Sequence, residues 1–127
     1  MQALAKYCPD LAEWPQRWSY EPRDIAPGQR IVEFFQPFLL YLLDQGLARK
    51  TLHRHRDHLW MLGGHVIHEF QLHPERRRRP IERTIIEMID TDEGPLLWPD
   101  ISEQAQESFD ATCRKLYKFV VSSKSPQ

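Results

Sequence analysis

The sequence is poor in cysteine, in glycine and in long apolar runs, and each shortage excludes a class of protein. The two cysteines, Cys8 and Cys113, form no Cys-x-x-Cys pair, which excludes a disulfide framework and a cysteine zinc site. We expect both thiols to be buried and inert. Among the five glycines, Gly63-Gly64 follows no strand and lacks the lysine of a P-loop, so no phosphate-binding loop is predicted.

Apolar runs are short, and neither sign of charge is in excess. The longest apolar run, Phe38 to Leu43, has six residues against the ~20 of a membrane span. The first residues lack the basic start and apolar stretch of a signal peptide, so we expect a cytoplasmic protein without a membrane partner. With 17 Lys+Arg against 18 Asp+Glu, and 41% hydrophobic residues, the 127 residues have the composition of one globular domain.

Apolar residues recur at steps of three and four, the period of an amphipathic helix, and no segment alternates as a half-buried strand does. The sequence therefore predicts an all-α bundle of four main helices. Their predicted ranges are 29 to about 45, 48–70, 80 to about 89, and 99 to about 121. We expect Gly46 to cap the first helix, and Asp100 to form a capping box with Glu103 at the start of the fourth.

Two predicted helices contain residues that disfavour a helix. Pro37 should kink the first helix or start a fresh one, because it cannot donate a backbone hydrogen bond. Gly63-Gly64 in the second costs roughly 1 kcal/mol per glycine relative to alanine. That cost indicates either the close approach of another helix, or a bend or break in this one.

The N-terminal part of the chain has a different composition from the helical part. Its first thirty residues hold four of the ten prolines and two of the four tryptophans. We predict an irregular arm at 1–28, a helical bundle at 29–121 and a frayed polar tail at 122–127. The large rings of Trp14, Trp18 and Tyr20 should pack this arm against the helices.

The charges are unevenly placed along the chain. Residues 47–83 carry a balance of +5 and the remainder a balance of -6. On the second helix, Arg49, His53 and Arg56 share about one face, which is typical of contact with a nucleic-acid backbone. The candidate phosphate-binding residues in this stretch are Arg49, Lys50, Arg54, Arg56, Arg76, Arg77, Arg78 and Arg79. A competing interpretation gives Arg76 to Arg79 intramolecular acidic partners.

All six histidines lie between His53 and His73, and two pairs have the i, i+3 spacing of helical metal ligands. We nevertheless predict no metal site and no cofactor, because there is no His-Glu-x-x-His motif and no cysteine nearby. The weak candidates for metal binding are His55, His58, His65 and His68. Neither cysteine has the local signature of a nucleophile, so we predict no enzymatic activity.

Two segments resemble the N-terminal core-binding, SAM-like domain of tyrosine recombinases of the phage-integrase type. They are Phe38–Leu59, FLLYLLDQGLARKTLHRHRDHL, and Phe109–Val120, FDATCRKLYKFV. Ala48 stands where the family usually has serine. The resemblance implies a bundle that clamps one side of a DNA duplex, without the family's catalytic domain and hence without strand cleavage. The positions it places near the DNA backbone are Arg49, Lys50, Thr51, Arg54, Arg114, Lys115 and Lys118.

Two functions follow as hypotheses. The first is a small non-catalytic nucleic-acid-binding protein that contacts phosphates of duplex DNA through the basic helix and turn. The alternative is a protein-protein interaction module, an inhibitor or an assembly subunit, with no nucleic-acid role. Its docking residues would be Trp60, Trp98 and Tyr117, because such aromatic residues are enriched at interface hot spots.

Overall fold

The computed structural model describes residues 2–90, 92–97 and 99–124, which form helices and connecting turns without a strand. The helices are α1 (Gln2–Tyr7), α2 (Trp14–Trp18), α3 (Ile25–Asp44), α4 (Arg49–Leu72), α5 (Ile81–Ile89) and α6 (Glu103–Lys124). Short 3-10 turns occupy Leu11–Glu13, Pro22–Asp24 and Pro74–Arg78. The prediction of an all-α bundle is confirmed. Within these ranges, none of the helices could span a membrane.

The core lies where the apolar stripes of the four long helices meet. The stripe of α3 is fully buried at Ile31, Phe35, Phe38, Leu39 and Leu42. It packs with Leu59, Leu62 and Val66 of α4, Ile85 and Ile89 of α5, and Phe109 and Leu116 of α6. Each such side chain contributes about 1.5–3 kcal/mol on burial, so the matching stripes determine the packing of the bundle.

The N-terminal arm consists of short helices rather than irregular chain. Pro15 is the second residue of α2 and Pro22 the first of a 3-10 turn, where a missing N–H costs no hydrogen bond. Trp14 and Trp18 are buried against each other and the bundle, as predicted. Tyr20 differs from the prediction: its side chain is 61% exposed, and its hydroxyl lies 3.0 Å from His68 Nδ1.

The arm runs alongside α4 in the same direction. Near its start the Tyr7 hydroxyl donates to the Leu52 carbonyl. Farther along, the Trp18 indole N–H donates to the Trp60 carbonyl at 3.0 Å. At its end, Asp24 reaches the last turn of α4 at Gln71. The arm therefore contacts α4 along most of the length of that helix.

The residues expected to disturb the helices have different effects. Pro37 lies inside α3, so no fresh helix starts there. Helix α4 continues through Gly63-Gly64 without a break, because the glycines make room for Trp18. Close approach of a helix, here α2, is thus the correct interpretation, and a break is wrong. Gly46 has a φ of +68°, the left-handed conformation of a helix C-terminus, as its predicted capping role requires.

Helix α6 begins and ends later than the sequence predicted. It starts at Glu103 rather than Pro99, and the Ser102 hydroxyl accepts a hydrogen bond from the Ala105 N–H. The predicted capping role of Asp100 is therefore wrong. The helix continues to Lys124, past the predicted boundary at 121. Thr91 of the predicted loop, Trp98 and residues 125–127 lie outside the described residues.

Candidate nucleic-acid interface

Helix α4 holds the predicted basic residues apart. Arg49, Lys50, Arg54 and Arg56 lie in its first turns, whereas Arg76–Arg79 lie in the 3-10 turn after its last residue. The 16 residues of α4 that follow Arg56, at about 1.5 Å per residue, span roughly 24 Å between the two groups. The structure therefore does not bring them onto one surface.

The arginines after α4 are largely paired with the protein's own carboxylates. Arg76 lies 2.7 Å from Glu69, and Arg79 lies 2.9 Å from Glu87. Arg77 is 2.6 Å from Asp24, and its side chain is 14% exposed. The interpretation with intramolecular partners is thus correct for these three residues. Arg78 is exposed, and no carboxylate of the described ranges forms an ion pair with it.

Asp24 makes Arg77 a structural residue. Its buried carboxylate accepts hydrogen bonds from the N–H groups of Tyr20 and Glu21, from the Gln71 amide and from Arg77. Burial raises the pKa of Asp24, but the Arg77 hydrogen bond and the two backbone donors outweigh it and leave the pKa below its usual range. Arg77 therefore joins the arm to the end of α4.

One hydroxyl joins the first half of α4 to α6. Thr112 Oγ1 lies 2.7 Å from Nδ1 of His55 and 2.7 Å from Nδ1 of His58. A hydroxyl has one proton, so it can donate to only one of the two rings, and at least one ring donates its Nδ1–H to the hydroxyl oxygen. Burial lowers the pKa of His55 to about 4 and lowers the pKa of His58 in the same way. Both rings are therefore neutral at neutral pH.

The other residues considered for metal binding or catalysis do not form a site with His55 and His58. Among the described residues, no three His, Cys, Asp or Glu side chains are grouped as metal ligands. The two remaining candidate histidines have other surroundings. Burial lowers the pKa of His65, and the His68 ring contacts the Tyr20 hydroxyl. Cys8 and Cys113 are free and buried as expected, and burial raises the pKa of both thiols to about 12. The thiols therefore stay protonated at neutral pH.

The shared hydroxyl brings together two helical segments that contain no carboxylate. Residues 49–56 of α4 carry four Lys or Arg residues and residues 111–122 of α6 carry three, with no Asp or Glu in either. Besides burial, the charges of Lys115 and Arg54 lower the pKa of His55, which places both cations near this ring. Lys50 lies one helical turn before Arg54 on α4, and Lys118 lies one turn after Lys115 on α6. We call Lys50, Arg54, Lys115 and Lys118 the α4/α6 basic surface.

The other cations of these two segments are Arg49, Arg56 and Arg114, and two of them form hydrogen bonds within the protein. Arg56 donates to the Tyr7 carbonyl and lies 3.0 Å from Asp57, and Arg114 donates to the Asp92 carbonyl. Within the part of the chain that the structure describes, no carboxylate pairs with Arg49 or with any member of the α4/α6 basic surface. Of the cations in these two segments, these side chains are available to an external anion.

A groove borders the α4/α6 basic surface on its α3 side. It has a volume of about 400 Å³ and is lined by Tyr41, Lys115, Lys118, Phe119 and Ser122. The Tyr41 and Phe119 rings lie with their centroids 4.8 Å apart. We call this the aromatic groove. Sequence reasoning missed both rings as site residues, although Phe119 directly follows Lys118 in a segment without carboxylates.

Trp60 and Tyr117, the two proposed docking residues that the structure describes, do not line the aromatic groove. Trp60 is 42% exposed and lines another groove, of about 610 Å³, with Pro9, Trp14 and Met61. Tyr117 is half-buried on α6. Trp98 is outside the described residues.

Comparison with protein-family models, with curated proteins and with solved structures finds no match to this chain. The resemblance to the core-binding domain of tyrosine recombinases therefore stays a prediction.

Proposed function

We propose that this protein binds nucleic acid without catalysing a reaction, and that it holds the phosphates with the α4/α6 basic surface. The observation that carries the proposal is the joining of two carboxylate-free basic segments through Thr112. Like charges held side by side repel each other, and a polyanion relieves that repulsion while releasing its own counterions.

This interface is smaller than the one expected from the sequence. Arg76, Arg77 and Arg79 are left out because each already meets a carboxylate of the protein. The recombinase resemblance supports the smaller surface, since its matched positions all lie on residues 49–56 of α4 or on the later half of α6. Backbone contacts of this kind give affinity with little sequence preference.

Fluorescence anisotropy with a labelled DNA duplex at low and moderate salt tests the proposal. Binding should weaken as salt rises, and each lost phosphate contact should reduce the slope of log K against log salt by about 1. The triple variant Arg54→Ala/Lys115→Ala/Lys118→Ala should lose most of the binding. The triple variant Arg30→Ala/Arg78→Ala/Arg83→Ala removes the same charge elsewhere and should retain it. Equal loss in both variants overturns the proposal, and so does a failure of both a duplex and a single strand to bind at low salt.

The exposure of Trp60 supports a second candidate, the protein-protein interaction module. Its ring lines an open groove with three apolar and four charged residues, and an exposed tryptophan beside arginine is typical of an interface hot spot. Under this alternative, Trp60→Ala abolishes partner capture from the protein's own cells. Under the same alternative, the triple variant Arg54→Ala/Lys115→Ala/Lys118→Ala should capture the partner as well as the unmodified protein does.

A further inference from the structure

We infer that the aromatic groove binds an unpaired nucleotide, so that the protein prefers a single strand over a duplex. The base would lie against Tyr41 and Phe119, and its flanking phosphates would meet Lys115 and Lys118. This inference rests on the proposed function and specifies which form of nucleic acid the surface takes.

The composition of the groove is the first argument. Single strands bind where a positive surface follows the backbone and aromatic side chains offer a face for stacking, because every base has a π-face. Tyr41 and Phe119 are only half-buried, and Lys118 is exposed beside them. Bases in a duplex are already stacked on their neighbours, so a groove in the side of the protein cannot reach their faces.

The size of the groove is the second argument. Its volume of about 400 Å³ lies within the roughly 300–1,000 Å³ of typical small-ligand sites. The exposed Ser122 hydroxyl, which donates and accepts hydrogen bonds, stands at its edge and can pair with a sugar or a base. The site therefore offers a stacking face, two cations and a polar group within the space of one nucleotide.

Other grooves on the described surface lack this combination. Three of four other grooves are lined by carboxylates, which belong to Asp10, Asp57, Glu103, Glu107 and Asp110. The fourth, between α1 and α3, has no charged lining residue among those described. A carboxylate repels phosphate, and a groove without a cation does not attract it. Of these five grooves, the aromatic groove alone suits a nucleotide.

Anisotropy with two probes tests the inference: a labelled strand of about 12 thymidines and a duplex of the same length. The single strand should bind at least about fivefold more tightly than the duplex. Tyr41→Leu and Phe119→Leu, which keep apolar volume, should each weaken single-strand binding by about fivefold or more and leave duplex binding unchanged. Phe34→Leu removes a half-buried α3 ring outside the groove and should change neither.

Two further measurements do not depend on how well those variants fold. Ultraviolet cross-linking of the unmodified protein to a strand containing 5-iodouracil should attach the base to Tyr41 or Phe119, as located by mass spectrometry. Ser122→Glu, an exposed substitution, should weaken single-strand binding by adding a negative charge at the groove. Equal binding of the two probes with cross-links elsewhere overturns the inference and leaves the proposed function intact. No binding of either probe at low salt overturns both.

Discussion

The indole of Trp18 lies directly over Gly63, so close that a Cβ on Gly63 would stand 2.3 Å from Trp18 Cζ2. The same indole donates its N–H to the carbonyl of Trp60, 3.0 Å away. The tryptophan is thus fixed both sterically and by a hydrogen bond, which explains a glycine at a helical position where its propensity is poor. Its neighbour Gly64 is less constrained, since a Cβ there would stand 3.3 Å from Trp18 Cδ1.

Gly63→Ala should lower the free energy of unfolding by about 1–3 kcal/mol, because the overpacking outweighs the gain in helix propensity. Gly64→Ala, the matched control, should cost clearly less. Urea unfolding followed by circular dichroism measures both. A Gly63→Ala protein as stable as the unmodified one would show that the indole moves aside freely.

Arg77→Ala should lower the free energy of unfolding by about 3–5 kcal/mol, because it leaves the buried carboxylate of Asp24 without its charged partner. Arg78→Ala, one residue along the same turn and exposed, should change stability by no more than about 0.5 kcal/mol. Urea denaturation of the two variants decides the matter. Similar values would contradict the structural role of Arg77.

Thr112→Val should lower the free energy of unfolding by about 1–3 kcal/mol, because it removes the hydroxyl that satisfies two half-buried imidazoles. Thr84→Val is the contrasting control. The buried Thr84 hydroxyl has no hydrogen-bond partner within the described residues, so its removal should be neutral or stabilising. Thermal unfolding of the two variants provides the comparison, and a loss at Thr84 as large as at Thr112 would contradict it.

Stability should decline as the pH falls from about 6.5 toward 4. Burial lowers the pKa of His55 to about 4, and also lowers the pKa of His58, so the unfolded chain binds more protons than the folded one in this range. The free energy of unfolding therefore falls as the pH falls. The contribution of His55 is about 1–2 kcal/mol after allowance for solvent screening of this partly exposed ring.

Urea unfolding at several pH values measures this effect. His55→Gln should flatten the decline, whereas the same substitution at the exposed His53 should leave it in place. Asp24 adds a separate loss of stability at lower pH, since its pKa is below its usual range and its stabilisation disappears as the carboxylate is protonated. An unchanged profile in His55→Gln would remove this histidine from the explanation.

The sequence predicts the long helices well because their apolar stripes follow the helical period and match the buried residues of α3 and α4. It misplaces the start of α6 because both Asp100 and Ser102 are good capping residues, and only the structure shows that the Ser102 hydroxyl meets a backbone N–H. The arm was harder to predict, since a proline that starts a short helix looks the same in sequence as one that prevents it.

The site was predictable only in part. Lys115 and Lys118 were identified through the recombinase resemblance, but their grouping with Tyr41 depends on how α3 packs against α6. The pairing of Arg77 with Asp24 joins residues 53 positions apart, and no local pattern specifies which carboxylate an arginine will meet. Tertiary contacts of this kind decide which cations remain available to a ligand.

The course of the N-terminal arm beside α4 has a consequence for the kinetics of folding. Its contacts through Tyr7, Trp18 and Asp24 join residues that are 45, 42 and 53 positions apart. A chain that must close such loops pays their entropy before the contacts form, so it should reach its native state more slowly than a bundle held by neighbouring helices alone. We therefore expect the arm to be the last part to dock.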